Sequence, residues 1–387
     1  MSITVNSSPN ADASIHDALY HVVTSTNIAQ PNFKYVFDVY VNSVQIARVK
    51  LFQDVTTSKG IFNAEKIIRN YITNYFLPTT SLTSFKYTSN NIRLSYEIKY
   101  GEEYGGTTYT NLTSATYTVW NYYNDAFTLP NAYLISSYSY KWLTNRTSFE
   151  SIYDDPVFVS FLSDSDSKNL KLKVTVYDSS WTALTDVTGP YVLCNRFTIL
   201  DLCPAAINAY MTSVIDTETD YGYGVQVYDG TTYSDEIRFV ITCNARFTPV
   251  NIYFLNQLGG YDSFAFRLVN KRTDSFEHKS FQKLDWTYSS GSMVRYNSSN
   301  VINAGSVDYG IDKSVSLKLS SDYISIADNN WLRELIASPE VYMLKNNFFY
   351  PVVIKSTTWE EKIAVADKMV QFNLDIDLGK KFNSQYR

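Results

Sequence analysis

The residues of this chain that could perform chemistry are carboxylates, and they do not form a catalytic pattern. A glycosidase needs two carboxyl groups that converge across a sugar, whereas neighbouring residues of a strand point to opposite faces. The acidic doublets are such neighbours: Glu102-Glu103, Asp154-Asp155 and Glu360-Glu361. The sequence also lacks a nucleophile elbow, an HExxH motif and a glycine-rich phosphate or dinucleotide loop. We therefore expect a protein that is not an enzyme and uses no cofactor.

Residues that could bind a metal are few. The cysteines and histidines are Cys194, Cys203, Cys243, His16, His21 and His278. A structural zinc site needs four such ligands at closer spacing, so we expect reduced thiols instead. The stretch 164–167 alternates Asp and Ser as calcium loops do, but it lacks the later glycine and glutamate of an EF-hand. The sequence predicts no metal site.

Tyrosine is the most informative residue type, with 33 Tyr and 22 Phe among 387 residues. Clusters occur at Tyr122-Tyr123 and at Tyr138 and Tyr140. Tyrosine forms strands well, and it also buries a large ring in protein interfaces while keeping a hydroxyl for a partner. Its ring can further stack on sugars. Strand packing, protein binding and glycan binding remain three interpretations of this excess.

The composition excludes several classes of protein. Hydrophobic residues make up 45% of the chain, with only 14 Gly and 10 Pro, which excludes a disordered or collagen-like chain. The formal net charge of −5 argues against a nucleic-acid binder. No apolar run approaches the ~20 residues that cross a bilayer, and the start does not resemble a signal peptide. We expect no membrane and no direct nucleic-acid partner.

The chain has the local patterns of strands. Apolar residues alternate with polar ones in residues 33–41, 170–176 and 370–378, which is typical of strands with one buried face. Asn42-Ser43 joins the first of these runs to residues 44–51 as a hairpin turn would. The sequence therefore predicts an all-β protein of several antiparallel β-sandwich or barrel domains.

Two short amphipathic helices are predicted to pack on the sheets. The first follows Asn63, shows apolar residues at helical spacing from Ile67 to Phe76, and stops before Pro78. The second begins near Asp328 or Asn329 and ends before Pro339.

Three domains are predicted. Glycine and charge at residues 101–106 suggest the first boundary, and the second follows a short echo of residues 194–198 at 243–248. The predicted domains are an N-terminal β-sandwich with one helix (1–104), a central β-sandwich region (105–248) and a C-terminal β domain with one helix (249–387).

Several segments resemble structural proteins of tailed bacteriophages that infect Bacteroidetes, notably crAss-like phages. They are QPNFKYVFDVYVN at 30–42 with residues 46–50, 142–145 with 156–162, FLNQLGGYDSF at 254–264, and WLRELIASPEVY at 331–342 with 350–354. The resemblance covers nearly the whole chain. It implies a virion component that is assembled in the host cytoplasm, with the tail, collar ring or tail hub as its place.

The resemblance implies a homo-oligomeric ring or hub that also binds neighbouring tail, collar or portal-proximal proteins, and it implies no catalytic residue. Binding through sheet edges and Tyr-rich faces would fit this role. The predicted interface residues are Trp331, Tyr342, Tyr350, Gly259, Gly260, Tyr261, Asp262 and Phe264. Trp331 fits a core position at least as well. The alternative function is a tail or head fibre that binds host capsular polysaccharide.

Overall fold

The computed structural model of the chain is built almost entirely of strands. It describes residues 3–10, 12–72, 86–88, 93–123, 140–146, 148–163, 165, 167–242, 247–268, 270–295, 297–298, 301–302, 305–346, 348–356, 369–378 and 382–386. Within them the chain forms several sheets, mostly antiparallel, and helical segments occur at only three places. The predicted all-β class is confirmed.

The strands are short and follow one another closely. Those of the N-terminal part are β1 (Ile3–Ser7), β2 (Ala13–Ser14), β3 (Tyr20–Ser25), β4 (Lys34–Val41), β5 (Val44–Leu51), β6 (Gly60–Asn63), β7 (Lys86–Thr88), β8 (Arg93–Tyr104) and β9 (Thr107–Trp120). Those of the central part are β10 (Tyr140–Trp142), β11 (Ser148–Ser151), β12 (Phe158–Ser163), β13 (Lys168–Tyr177), β14 (Ala183–Cys194), β15 (Phe197–Asp201), β16 (Gly222–Tyr228) and β17 (Ile237–Ile241).

The C-terminal part contains the longest strands. They are β18 (Val250–Leu255), β19 (Tyr261–Phe266), β20 (Lys271–Lys283), β21 (Trp286–Ser289), β22 (Ser292–Arg295), β23 (Asn297–Ser298), β24 (Val301–Ile302), β25 (Gly305–Ser325), β26 (Val341–Lys345), β27 (Phe348–Ile354), β28 (Met369–Leu378) and β29 (Phe382–Tyr386).

The first sandwich encloses an aromatic core. Its sheets have the strand orders β1-β3-β6 and β2-β9-β8-β4-β5. As predicted, Phe33, Tyr35, Phe37, Val39 and Val41 are all buried. Asn42 and Ser43 both have positive φ, and β4 and β5 pair directly across them, so the predicted hairpin is also present.

The second sandwich has the strand orders β10-β12-β15-β7 and β11-β17-β16-β13-β14. Leu170, Leu172, Val174 and Val176 are buried, as the alternation predicts. Parallel pairing occurs between β11 and β17 and, in the first sandwich, between β2 and β9. All other described ladders are antiparallel.

The C-terminal part forms a sheet of eight strands in the order β19-β18-β26-β27-β28-β25-β20, and β29 also pairs with β25. Val370, Phe372, Leu374 and Ile376 of β28 are buried in its core, as predicted. Pro351 lies in an internal strand, although proline cannot donate a hydrogen bond to a ladder and usually occurs at an edge or in a bulge. Pairing of β27 with β26 ends at Pro351 and pairing with β28 begins at Val352, so the proline sits where one ladder gives way to the other.

The helical segments differ from the prediction in length and number. They are α1 (Glu65–Ile68) with a 3₁₀ turn (Arg69–Tyr71), α2 (Pro204–Met211), and α3 (Ile326–Trp331) with α4 (Arg333–Ala337). Ile72 is extended, so the first helix ends earlier than its apolar spacing suggests, and residues 73–77 of the predicted helix lie outside the described residues. Helix α2, which starts at Pro204 and packs on the second sandwich, was not predicted.

The residues divide into two compact units. The first comprises Met1–Asn244 with Leu255–Ser263, and the second Ala245–Phe254 with Phe264–Arg387. The predicted boundary after residue 104 falls instead in a hairpin, since β8 and β9 pair from Arg93 with Trp120 to Tyr104 with Thr107, with one irregularity between Tyr100 and Glu102. Gly105 and Gly106 have positive φ and form the turn of this hairpin. Glycine beside charged residues occurs in tight turns as well as in linkers, so the composition does not distinguish the two.

A buried histidine completes the core of the first sandwich. His21 lies between two tyrosines: its Nδ1 is 3.0 Å from the hydroxyl of Tyr100 and its Nε2 is 3.0 Å from that of Tyr96. The Tyr100 hydroxyl is also 2.8 Å from that of Tyr117. Burial lowers the pKa of His21 from 6.5 to about 4, so the imidazole is neutral at pH 7.

This burial predicts a loss of stability in mild acid. Between pH 6.5 and about 4 the unfolded chain binds a proton at His21 that the folded chain excludes, so the free energy of unfolding should fall by about 3 kcal/mol as the pH drops through this window. Burial of Asp201, which raises its pKa to about 6, acts in the opposite direction in the same range. Urea unfolding of wild type and His21→Gln at several pH values isolates the contribution of His21 to the free energy of unfolding.

His278→Gln, the same change at an exposed histidine, is the control. The difference in unfolding free energy between wild type and His21→Gln should shrink as the pH falls from 6.5 to 4. A difference that stays constant over this range would contradict the assignment.

Candidate interaction surface

Trp331, one of the predicted interface residues, is a core residue in the structure. It ends α3, is only 5% exposed, and packs with ring centres 5.4 Å from Phe254 and 6.2 Å from Phe264. Phe264, also a predicted interface residue, is buried in the same core. Ser325 caps the helix by accepting the Asp328 amide at 3.0 Å, which directs this apolar face onto the sheet. Neither ring is available to a partner.

The predicted Gly259–Asp262 turn is buried inside the first unit. Asn256 closes it by accepting the amides of Leu258 at 3.0 Å and Gly260 at 2.9 Å. Gly259 has φ of +80° and Gly260 lies against Leu143, so neither position leaves room for a side chain. Tyr261 and Asp262 are fully buried, and the Asp262 carboxylate accepts a hydrogen bond from Thr144 at 3.0 Å. The turn serves the fold and presents no surface to another chain.

Two of the predicted interface residues do reach solvent. Tyr350 in β27 is 43% exposed, and Tyr342 in β26 is half-buried. They do not share a face, because Tyr342 pairs with Pro351 and Tyr350 pairs with Met343, and neighbours in a strand point to opposite sides. The predicted residues therefore do not form one surface.

An exposed part of the second unit is the long ladder of β20 and β25 at the outer edge of the eight-stranded sheet, which we call the arm. The strands pair from Lys271 with Lys318 to Lys283 with Gly305. Most residues of β20 are exposed on both faces, which is unusual for a strand of 13 residues. On its other side β25 pairs with β28 at the base of the arm and with β29 further along. The base is thus rooted in the core while β20 is an outer strand.

Cross-strand ion pairs hold the arm together. Lys279 lies 2.5 Å from Asp312, and Lys313 lies 2.7 Å from Asp274. His278 contacts Asp308 at 2.8 Å. The Arg272 and Lys313 cations lower the pKa of Asp274. Such surface pairs add little energy each, but they fix the register of two strands that have no core between them.

Between β20 and β25 the chain forms a small hairpin of β21 and β22. Its turn is Ser290-Gly291, and both residues have positive φ, as a two-residue hairpin turn requires. Ser289 pairs with Ser292 directly beside the turn. At the junction with the arm, the Asp285 carboxylate accepts the Gly305 amide at 3.1 Å.

One face of this hairpin is apolar and cationic, and we call it the tip face: Trp286, Tyr288, Met293 and Arg295. Trp286 pairs with Arg295 and Tyr288 with Met293, so all four side chains lie on one side. The exposed fractions are 50% for Trp286, 71% for Tyr288 and 62% for Met293. The Arg295 guanidinium lies 5.7 Å from the centre of the Trp286 ring. Trp, Tyr, Met and Arg are the residues that protein interfaces favour.

Sequence reasoning did not find the tip face, although a signal was present. Ser290-Gly291 marks a hairpin turn, and the flanking residues alternate Trp286, Tyr288 with Met293, Arg295. The alternation alone does not show whether the apolar face lies on a core or in solvent. In the described part of the chain no sheet covers this face, and this tertiary property makes it a surface.

Other kinds of site are not formed by the described residues. Among them no three His, Cys, Asp or Glu side chains come together in a way that could hold a metal ion. No helix in the described part of the chain is long and apolar enough to span a membrane.

Comparison with known proteins gives only distant fold neighbours. No protein family model matches the chain, and no curated protein matches it. Fibronectin(III)-like modules of Clostridium thermocellum CbhA are similar at 11% identity and a TM-score of 0.19, over 62% of this chain and 94% of that one. The FN1-FN3 domains of chicken CNTN1 are similar at 10% identity and a TM-score of 0.19, over 62% of this chain and 64% of that one. At these scores the likeness carries no argument about function.

The buried turn gives a prediction with a matched control. A Cβ at Gly259 would lie 2.2 Å from the Asn121 carbonyl oxygen, whereas at Gly291, with nearly the same φ, it would meet nothing within 4 Å. Gly291→Ala should therefore cost about 1 kcal/mol of backbone strain, and Gly259→Ala should cost about 2 kcal/mol or more beyond that. Urea unfolding measures both, and equal losses would contradict the assigned packing.

Proposed function

We propose that this chain is a non-enzymatic structural component of a tailed phage particle, which binds copies of itself and neighbouring virion proteins. The virion assignment is supported by the sequence resemblance to crAss-like phage structural proteins. A role in assembly is supported by the exposed arm and its tip face, which offer a binding surface that no other described part of the chain covers.

The single observation that carries the assembly role is the concentration of exposed apolar side chains between β20 and β25. Besides those of the tip face, they include Phe276, Phe281, Leu284, Val294 and Tyr309. Scattered exposed apolar residues are ordinary on any protein surface. A concentration of such residues on and beside a strand that is exposed on both faces, as β20 is, is typical of a binding site.

The energetics favour a cooperative assembly over a single strong contact. Burying Trp286, Tyr288 and Met293 would contribute about 1.5–3 kcal/mol each, while association costs about 4–15 kcal/mol in lost freedom. One tip contact is therefore weak by itself. In a closed ring every copy makes two contacts, and the contacts of the ring support one another.

A ring or hub in the tail or collar fits these properties best, with other tail, collar or portal-proximal proteins as further partners. Localisation in the virion follows from the same proposal. Weak subunit contacts that close only in a ring permit monomers during synthesis and assembly on a partner afterwards.

The alternative, a fibre or adhesin for host capsular polysaccharide, is favoured by one observation. Tyr191, Lys171, Tyr228 and Tyr233 lie in register on adjacent strands of the second sandwich. Lys171 lies 4.3 Å from the Tyr191 ring centre, and the rings of Tyr228 and Tyr233 are stacked at 4.3 Å. Sugars stack on such rings. Binding of purified capsular polysaccharide that Tyr191→Ala and Tyr233→Ala abolish would favour this alternative.

The proposal predicts closed oligomers of the purified full chain. Mass measured by light scattering, with negative-stain electron microscopy of the same sample, should show rings of one rotational symmetry at high protein concentration. Slender trimers would favour the fibre. Monomers at every concentration, also in the presence of virion proteins from the same phage, would contradict the proposal.

A pair of variants locates the contact. Trp286→Ser with Tyr288→Ser should shift the chain to monomers without changing its unfolding midpoint, because both side chains are exposed. The matched control is Phe52→Ser with Tyr191→Ser, which removes two aromatic rings that are 69% and 60% exposed in the first unit. Loss of assembly in the control and not in the tip variant would place the contact elsewhere.

A further inference from the structure

The tip face combines apolar groups with a positive charge that has no counterion. The Arg295 side chain is exposed, and no carboxylate of the described residues lies within ion-pair distance of it. The four side chains of the face include no acid. Asp285, the nearest acid in sequence, is engaged with the Gly305 amide. Binding at this face therefore has to supply a carboxylate from the partner.

This charge argues against a contact between two tip faces. A two-fold contact would bring two Arg295 guanidinium groups together without an acid to pair with them. Burying charges without a counterion is costly, and like charges in an interface disfavour the complex. The partner surface must differ from the tip face.

The rest of the chain has the opposite charge. Residues 283–295 contain Lys283, Asp285 and Arg295 and so carry a net +1, which leaves −6 for the remainder of the chain. A second copy is therefore acidic on balance away from its own tip.

One segment of the first unit matches the tip face in both charge and ring chemistry. We call residues 216–221 the acidic loop; it carries Asp216, Glu218 and Asp220 and ends at the exposed Tyr221. Tyr221 packs edge-on to Trp181 at 5.7 Å. None of the three acids forms an ion pair within the described residues.

The three acidic residues of this loop have different structural roles. Asp216 and Asp220 fix its conformation, since Asp216 accepts the Glu218 amide at 3.0 Å and Asp220 accepts the Asp216 amide at 2.8 Å. The Glu218 carboxylate is exposed and takes no part in these bonds. It is the acid that is free to meet a guanidinium from outside.

We propose that the tip face of one copy docks on the acidic loop of the next, with Arg295 opposite Glu218 and the Trp286 and Tyr288 rings beside Tyr221. The contact is head-to-tail, and contacts of this kind close into rings where the rotation allows. It deepens the proposed function and rests on it, because it names the surfaces through which the copies assemble.

A charge exchange tests the pairing in the full chain. Arg295→Glu and Glu218→Lys should each weaken self-association at least about tenfold, as close interfacial charge pairs do. An equimolar mixture of the two variants should regain complexes, since the acidic tip of the first variant can bind the basic loop of the second. The chain with both changes should assemble nearly as wild type. Lys345→Glu, at an exposed position of β26 and not on the tip face, is the control for a change of net charge.

The outcomes separate this inference from the proposed function. Wild type that stays monomeric overturns both. Wild type that assembles while Glu218→Lys assembles equally well overturns only the acidic loop as the receptor, and leaves the structural role in place. Binding of wild type to phosphatidylcholine–phosphatidylglycerol vesicles that Trp286→Ser with Tyr288→Ser abolishes, with assembly unchanged, would show that the tip face binds lipid instead. Light scattering and vesicle sedimentation provide the measurements.

Discussion

The arm depends on one continuous strand. β25 runs for 21 residues, and its second half is fixed by burial of Val315 and Leu319 and by pairing with β28. An isolated two-stranded hairpin is marginally stable in water. Because the backbone of β25 continues without a break from the core into the arm, the buried half sets the direction and register of the exposed half. The exposed half of β25 is therefore held in the sheet by pairing with β20 and β29, and the hairpin that carries the tip face follows β20 through Leu284 and Asp285.

Aromatic residues serve two different roles in this chain. In the first unit Tyr35, Tyr96, Tyr100 and Tyr223 are fully buried, and their hydroxyls find partners such as His21 and Ser151. There the excess of tyrosine is strand packing, one of the three interpretations of the sequence. Along the arm the same residue types are exposed because no second layer covers the strands. Residue type alone does not distinguish a core from a binding surface; the number of layers does.

This explains which predictions from sequence were successful. Strands such as β4 and β28 were predictable, because alternation is a local pattern. In β28 one face is buried, whereas in β4 Val36 and Asp38 of the opposite face are buried as well. The placement of Trp331 and of the Gly259–Asp262 turn depended on segments distant in sequence. Phe254 packs on Trp331, and Asn121 and Leu143 lie close against the turn. Gly105-Gly106 forms a turn where a domain boundary was predicted, because a turn and a linker share the same composition. The tip face was missed for the same reason that Trp331 was misplaced, since an apolar face has the same pattern whether it is covered or not.

The distribution of charge on the arm indicates where recognition is concentrated. An exposed edge strand invites pairing with any other strand, and natural proteins guard such edges with lysine. β20 carries Lys271, Lys279 and Lys283 along its length, and most of its remaining residues are polar. These charges disfavour pairing along the edge and leave the apolar tip face as the part of the arm that gains most from burial. A contact confined to the tip has a small area, so its specificity must come from geometry and charge. The rigid root of β25 supplies the geometry, and Arg295 supplies a charge that discriminates acidic surfaces from basic ones.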